Sequence, residues 1–210
     1  MLSRSASPVR TRSLIVAETV REDELFELVD EDDQIIGMAP RSRCHGDPSL
    51  IHRAAHVLVF NRTGALLLQK RSDAKQIQPG RWDSSVGGHL EPGEGYRSAA
   101  LREMQEELGI SGIPLTYLFN AKIRNQIESE NTATFLTVHD GPFEFCRREI
   151  SEVRFWSPHE IESTLGSGEF TPNFEEEWPR YLEWCRRYLS PEKGVPGCAS
   201  VMHFPPSLSR

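Results

Sequence analysis

Residues 88–110 read GHLEPGEGYRSAALREMQEELGI. Glu103, Glu106 and Glu107 stand there at i, i+3 and i+4, a spacing that gathers them on one face of a helix. Like charges so placed repel, and each pair weakens a helix by roughly a few tenths of a kcal/mol. A helix that keeps all of them either solvates them or holds a cation among them. Oxygen-only ligands suit a hard cation, Mg2+ or Mn2+. Ahead of the helix, Gly87, Gly88, Gly93 and Gly95 let backbone amides and carbonyls approach a metal or a phosphate. Glu94 lies just before the helix start, where Arg102 can pair with it. Ala99, Ala100, Leu101 and Met104 supply packing surface.

The chain on either side reads as short strands with a few helices. Leu25–Val29 and Ile35-Ile36 flank the acidic turn Asp30–Asp33 and predict a hairpin. Ala39–His45 predicts a short helical turn, and Gly46-Asp47-Pro48 a loop. Ala54–Phe60 is nearly continuous in apolar residues, as a central strand is, and Ala65–Leu68 returns after the turn Asn61–Gly64. Ser72–Gly80 is a loop, and Arg71, Lys75 and Arg81, with Lys70, are candidates to clamp phosphates there. Leu115–Ile123, Thr132–Val138 and Val153–Trp156 predict further strands. Ser157-Pro158-His159-Glu160 opens a helix with Pro at its first position and a capping-box Glu. Thr171-Pro172 repeats the Pro start and opens a last helix to about Leu189. In it Phe174, Trp178, Tyr181, Cys185 and Tyr188 recur at helical spacing and are expected to pack.

Composition bounds the rest. At 210 residues, 38% hydrophobic and 26% charged, the chain suits one globular domain. A flexible N-terminal arm is expected over 1–21, the domain over 22–189 and a Pro-containing tail over 190–210. Arg4, Arg10 and Arg12 leave a targeting role for the arm open. A net charge of −7 argues against binding a nucleic-acid polymer, but not against a small phosphorylated substrate that meets its own cation. No apolar run reaches membrane-spanning length. Cys44, Cys146, Cys185 and Cys198 lack ligand spacing and suit a reduced, cytoplasmic protein. The oligomeric state is open.

The stretch at 88–110 matches G-x5-E-x7-R-E-U-x-E-E-x-G-U, with U a bulky aliphatic. The matching positions are Gly88, Glu94, Arg102, Glu103, Met104, Glu106, Glu107, Gly109 and Ile110. The pattern resembles the box of the Nudix hydrolases. The resemblance implies an α/β/α sandwich with a mixed β-sheet between helices. It implies a Mg2+- or Mn2+-dependent enzyme that opens a diphosphate linkage, by default in a nucleoside diphosphate joined to another group. By the same resemblance Glu103, Glu106, Glu107 and Arg102 form the catalytic set, and Glu103, Glu106, Glu107 and Gly88 hold the metal. The general base stays open between Glu103 and a later carboxylate such as Glu149 or Glu152.

A second likeness lies outside the box. His45 and His52, seven apart, His89 after Gly88, and the pair Glu128 and Glu130 resemble the divalent-metal ligands of type I isopentenyl-diphosphate isomerases, which share the Nudix fold. They are candidates for a second metal. The isomerases carry a catalytic Cys before the Gly-His pair, where this chain has Gly87, and they lack most of the box carboxylates. Isomerisation needs an acid and a base on opposite faces of the carbon skeleton. An isomerase-like enzyme is therefore the disfavoured alternative, beside a nucleotide-binding module without catalysis.

Overall fold

The chain enters through a hairpin, with β1 (Leu25–Val29) antiparallel to β2 (Ile35–Pro40). Asp30 shapes the turn by accepting the Asp32 and Gln34 amides on Oδ1, each at 2.9 Å. A single helical turn, α1 (Arg41–Cys44), follows and ends at His45. The computed structural model describes residues 23–75 and 77–189, so the expected arm over 1–21 and tail over 190–210 lie outside the described residues. None of the described helices is long and apolar enough to cross a membrane.

The sheet is built around β3 (Ile51–Phe60). Asn61 turns the chain into β4 (Leu66–Arg71), its Oδ1 accepting from the Thr63 and Ala65 amides. Two short strands come next, β5 (Trp82–Asp83) and β6 (Val86–His89). The acidic helix α2 (Tyr96–Leu108) ends at Gly109, whose φ of 69° is the left-handed conformation of a helix stop. Three strands follow: β7 (Thr116–Arg124), β8 (Ser129–Val138) and β9 (Ile150–Trp156). Helix α3 (Pro158–Thr164) carries the expected capping box between Ser157 and Glu160. Helix α4 (Pro172–Tyr188) starts on a Thr171 cap and runs on through Pro179.

β3 lies parallel to β8 along its whole length, from Ile51 opposite Ser129 to Phe60 opposite Val138. Its other side is taken by β6, antiparallel, and at its end by β4. β4 carries β5 and β9, and β7 closes the far side of β8. The sheet is therefore mixed. It starts β8 earlier than the apolar pattern suggested, because the ladder with β3 recruits Ser129, Glu130 and Asn131.

Side chains on a strand alternate between faces. Ala55, Val57 and Val59 pack with Ala99, Ala100, Met104 and Leu108 of α2. Leu58 and Phe60 pack on the opposite face with Phe174, Trp178, Tyr181 and Cys185 of α4. Fully burying such a side chain contributes about 1.5–3 kcal/mol. The result is the expected α/β/α sandwich. Tyr188 leaves the stripe: at the last residue of α4 it is exposed and packs on Trp184 at 5.5 Å. The α4-facing side of β3 begins with His52, Ala54 and His56 before it becomes core, and Ala54 and His56 line a cleft there.

Candidate active site

The cleft has a volume of about 670 Å3. Glu103 and Glu107 reach it from α2, His56 from β3, Gly87 and Gly88 from β6, and Arg71 and Lys75 from the end of β4 and the loop after it. Glu103 lies so close to Gly88 that a Cβ there would fall 2.0 Å from the Glu103 carboxyl carbon. A side chain at residue 88 would therefore displace the Glu103 carboxylate from its present position. Glu107 accepts from Gln69 Nε2 at 3.1 Å and from the Gly87 amide at 3.2 Å, both on Oε2. Its Oε1 has no donor among the described residues. Burial, then the neighbouring Glu103 charge, pushes Glu107 up to about 8. Glu103 is raised too, chiefly by burial, with Arg102 opposing.

Arg102 is the brace of this wall. It bonds Glu94 at 2.9 Å, as the sequence suggested, and also Glu103 at 2.8 Å, Glu106 at 3.3 Å and the His89 carbonyl at 2.9 Å. Glu106 shares the helix face but not the depth. Its side chain is 59% exposed against 15% for Glu103, and it is not among the residues that line the cleft.

The remaining candidates separate in the same way. Arg71 and Lys75 line the cleft, paired with Asp83 at 3.1 Å and Glu149 at 3.2 Å. Arg81 turns away to donate to the Phe170 carbonyl at 3.2 Å. Glu149 reaches the cleft, whereas Glu152 is exposed within β9, outside it.

The histidine cluster forms as a unit. The β3–β8 register sets His52 opposite Glu130, and the β3–β6 register brings His89 opposite Ala54. His45, His52, His89 and Glu130 each offer a ligand atom, all within 4.8 Å of one another. Glu130 Oε1 is 3.1 Å from His89 Nε2 and 3.3 Å from His52 Nε2. Glu128 flanks the group, 3.7 Å from His45 Nε2. Neither ring nitrogen of His52 makes an aligned hydrogen bond, although the ring is fully buried. An orphaned buried imidazole among carboxylate and imidazole donors fits a metal ligand. Phe26 from β1 stacks on His52 and His89, with centroids at 5.1 and 4.4 Å. Burial, then the charge of His89, lowers His45 to about 3, and burial lowers His89 against the pull of Glu130. Uncharged imidazole is the form that binds metal.

One feature escaped the sequence reading. His56 Nδ1 meets Glu177 Oε1 at 2.9 Å on the α4 side of the cleft. The signal was present: Glu177 falls on the apolar stripe of α4, three residues after Phe174 and four before Tyr181, where a carboxylate requires a partner.

A model of the NUDIX domain matches residues 50–174. An uncharacterised Nudix hydrolase of Yersinia pestis is 35% identical over 150 residues, which is 71% of this chain and 81% of that protein. An isopentenyl-diphosphate Delta-isomerase of Streptomyces avermitilis is 34% identical over 143 residues, covering 65% of this chain and 73% of the isomerase. Among solved structures, the crystal structure of DR0079 from Deinococcus radiodurans superposes with a TM-score of 0.66 and 25% identity, covering 75% of this chain and 98% of that one.

Proposed function

The chain belongs to the Nudix hydrolase family, and from that premise we propose that it is a Mg2+- or Mn2+-dependent hydrolase of a diphosphate linkage in a small substrate. A nucleoside diphosphate joined to another group is the default substrate. The observation that carries this reading is the meeting of Glu103 and Glu107 against Gly87 and Gly88 at the cleft. The donor set is all oxygen, and the like-charged pair leaves Glu107 Oε1 unpaired among the described residues; both fit a hard cation. Glu103, Glu107 and the Gly88 backbone would hold it, with the exposed Glu106 on the same helix as the further candidate ligand. When bound, the cation supplies positive charge against the phosphates and makes water a better nucleophile near neutral pH.

The chain's own residues do the rest. Arg102 fixes Glu103 and the loop carrying Glu94 in one orientation. Arg71 and Lys75 supply donors for substrate phosphate, and Arg81 supports the Phe170 backbone instead. Glu103 takes the proton from water, or Glu149 does so after parting from Lys75. Glu152 has no place in this scheme. His45, His52, His89 and Glu130, flanked by Glu128, would hold a second divalent ion. The free thiols Cys44 and Cys146 support a reducing, cytoplasmic setting.

The isomerase reading has the histidine cluster in its favour. Gly87 denies it a side chain to move a proton, and Glu103, Glu106 and Glu107 serve no purpose in it. The test is phosphate release from nucleotide sugars, dinucleotides, NADH, CoA and prenyl diphosphates with Mg2+ or Mn2+, beside an assay of isopentenyl diphosphate for its isomer. Hydrolysis of at least one member, lost in Glu107→Gln, is expected. Isomer formation, or tight nucleotide binding with no product under any condition, would overturn the reading.

A further inference from the structure

The cleft wall opposite α2 carries a charged pair that the hydrolytic scheme does not use. His56 bonds Glu177 through Nδ1, and Glu177 is only 5% exposed. Thr134 Oγ1 donates to Glu177 Oε1 at 2.8 Å, and Ser84 Oγ donates to Oε2. With three donors on its two oxygens, the carboxylate is fixed and cannot follow the cleft's contents. Burial works against the imidazolium, but the charge and hydrogen bond of Glu177 prevail and raise His56 to about 9. His56 in turn holds Glu177 low against the same burial. At neutral pH the ring is charged and both its nitrogens carry protons.

One of those protons is spent on Glu177. The other, on Nε2, has no acceptor among the described residues. The Nε2 edge lies beside Gly87, where a Cβ would come 3.5 Å from Cδ2 and 3.6 Å from Nε2. Because residue 87 has no side chain, nothing from β6 covers that edge, and His56 lines the cleft. The other cations of the cleft face carboxylates that line it too, Arg41 with Glu24, Arg71 with Asp83 and Lys75 with Glu149, and must share their charge with them when they meet a phosphate. His56 differs in that its carboxylate sits behind it, leaving a charged donor facing forward. The Gly87 amide on the other side bonds Glu107. Gly87 therefore stands between a fixed positive donor and the acidic wall of α2.

We propose that His56 is a substrate-binding residue whose Nε2–H donates to a phosphate oxygen of the diphosphate, and that Glu177, with Ser84 and Thr134, is the positioning group that keeps the ring charged and aimed. The inference rests on the diphosphate reading of the same cleft. It explains why an acidic wall and a fixed cation are built on either side of one glycine: a diphosphate can meet metal on one flank and a charged donor on the other.

The probe is inorganic diphosphate with Mg2+. In the full chain labelled with 15N in its imidazoles, saturation with the probe is expected to move the His56 Nε2 resonance while Nδ1 stays protonated on Glu177. The double variant His56→Gln with Glu177→Gln removes both charges and so leaves no lone buried ion. It should bind the probe about 10- to 100-fold more weakly, as for a lost charged hydrogen bond, and raise KM by a similar factor with a smaller change in kcat. An Nε2 resonance unmoved at saturation overturns the proposal, whether or not the variant folds, and so does wild-type affinity in the double variant. If no diphosphate is hydrolysed but His56 Nε2 still responds to the probe, the hydrolase reading fails and the binding assignment stands.

Discussion

Glu107 of α2 lines the cleft and Glu177 of α4 lies behind its His56 wall, and the two are provided for in opposite ways. Glu177 of α4 has a counter-charge and two hydroxyl donors, and its carboxyl sits below the ordinary range. Glu107 of α2 has an amide and a carboxamide on one oxygen, a like-charged neighbour, and a carboxyl pushed up to about 8. One site is complete within the chain and the other is short of positive charge. Burial alone does not separate the two carboxylates; what separates them is whether the chain itself meets its cost.

The sharpest way to break this contrast is Glu107→Gln. Hydrolysis should fall by at least about 100-fold, the scale of a lost acid–base or metal-binding group, while urea unfolding at neutral pH shows stability held or raised. A variant that loses stability along with activity would make Glu107 a structural residue like Glu177. The reverse is expected on α4. Glu177→Gln should lower unfolding free energy by about 3 kcal/mol, near the low end for breaking a buried pair, because glutamine keeps the hydroxyl contacts and His56 can shed its proton. A change within experimental error in that variant would put both glutamates in the same class.

A smaller effect sharpens the contrast by pH. His56 has a raised value in the fold, so its contribution is complete below the unfolded value of 6.5 and is lost as pH rises through about 9. The stability difference between wild type and the double variant should therefore narrow over that window, as read by denaturant unfolding at each pH. A gap constant across it would contradict the charged pair.

The fold was largely legible because its signals are local. The hairpin at Asp30–Asp33, the capping box at Ser157 and the Pro start at Thr171-Pro172 each follow from a few adjacent residues. The box was legible for the same reason, since its carboxylates share one helix. Depth was not: sequence spacing puts Glu106 and Glu107 on one face, but only packing against β6 decides that Glu107 reaches the cleft and Glu106 stays exposed. The histidine cluster was legible through resemblance alone, since its members come from the residue after α1 and from β3, β6 and β8, and only strand register unites them. His56 and Glu177 lie 121 positions apart. Each was hidden inside an apolar pattern read for its majority, Ala54–Phe60 in one case and the α4 stripe in the other. Arg81, a basic residue just after the Ser72–Gly80 loop, donates to the Phe170 carbonyl, a contact that spacing does not show.

Manganese uptake in the presence of inorganic diphosphate, followed by electron paramagnetic resonance, tests the central contrast most directly. Wild type should take up Mn2+ in two classes, one set by the α2 carboxylates and one by the histidine cluster. Glu103→Gln with Glu107→Gln should lose the first class and keep the second. Uptake unchanged by the two substitutions would contradict the claim that α2 is built to be completed by a divalent ion.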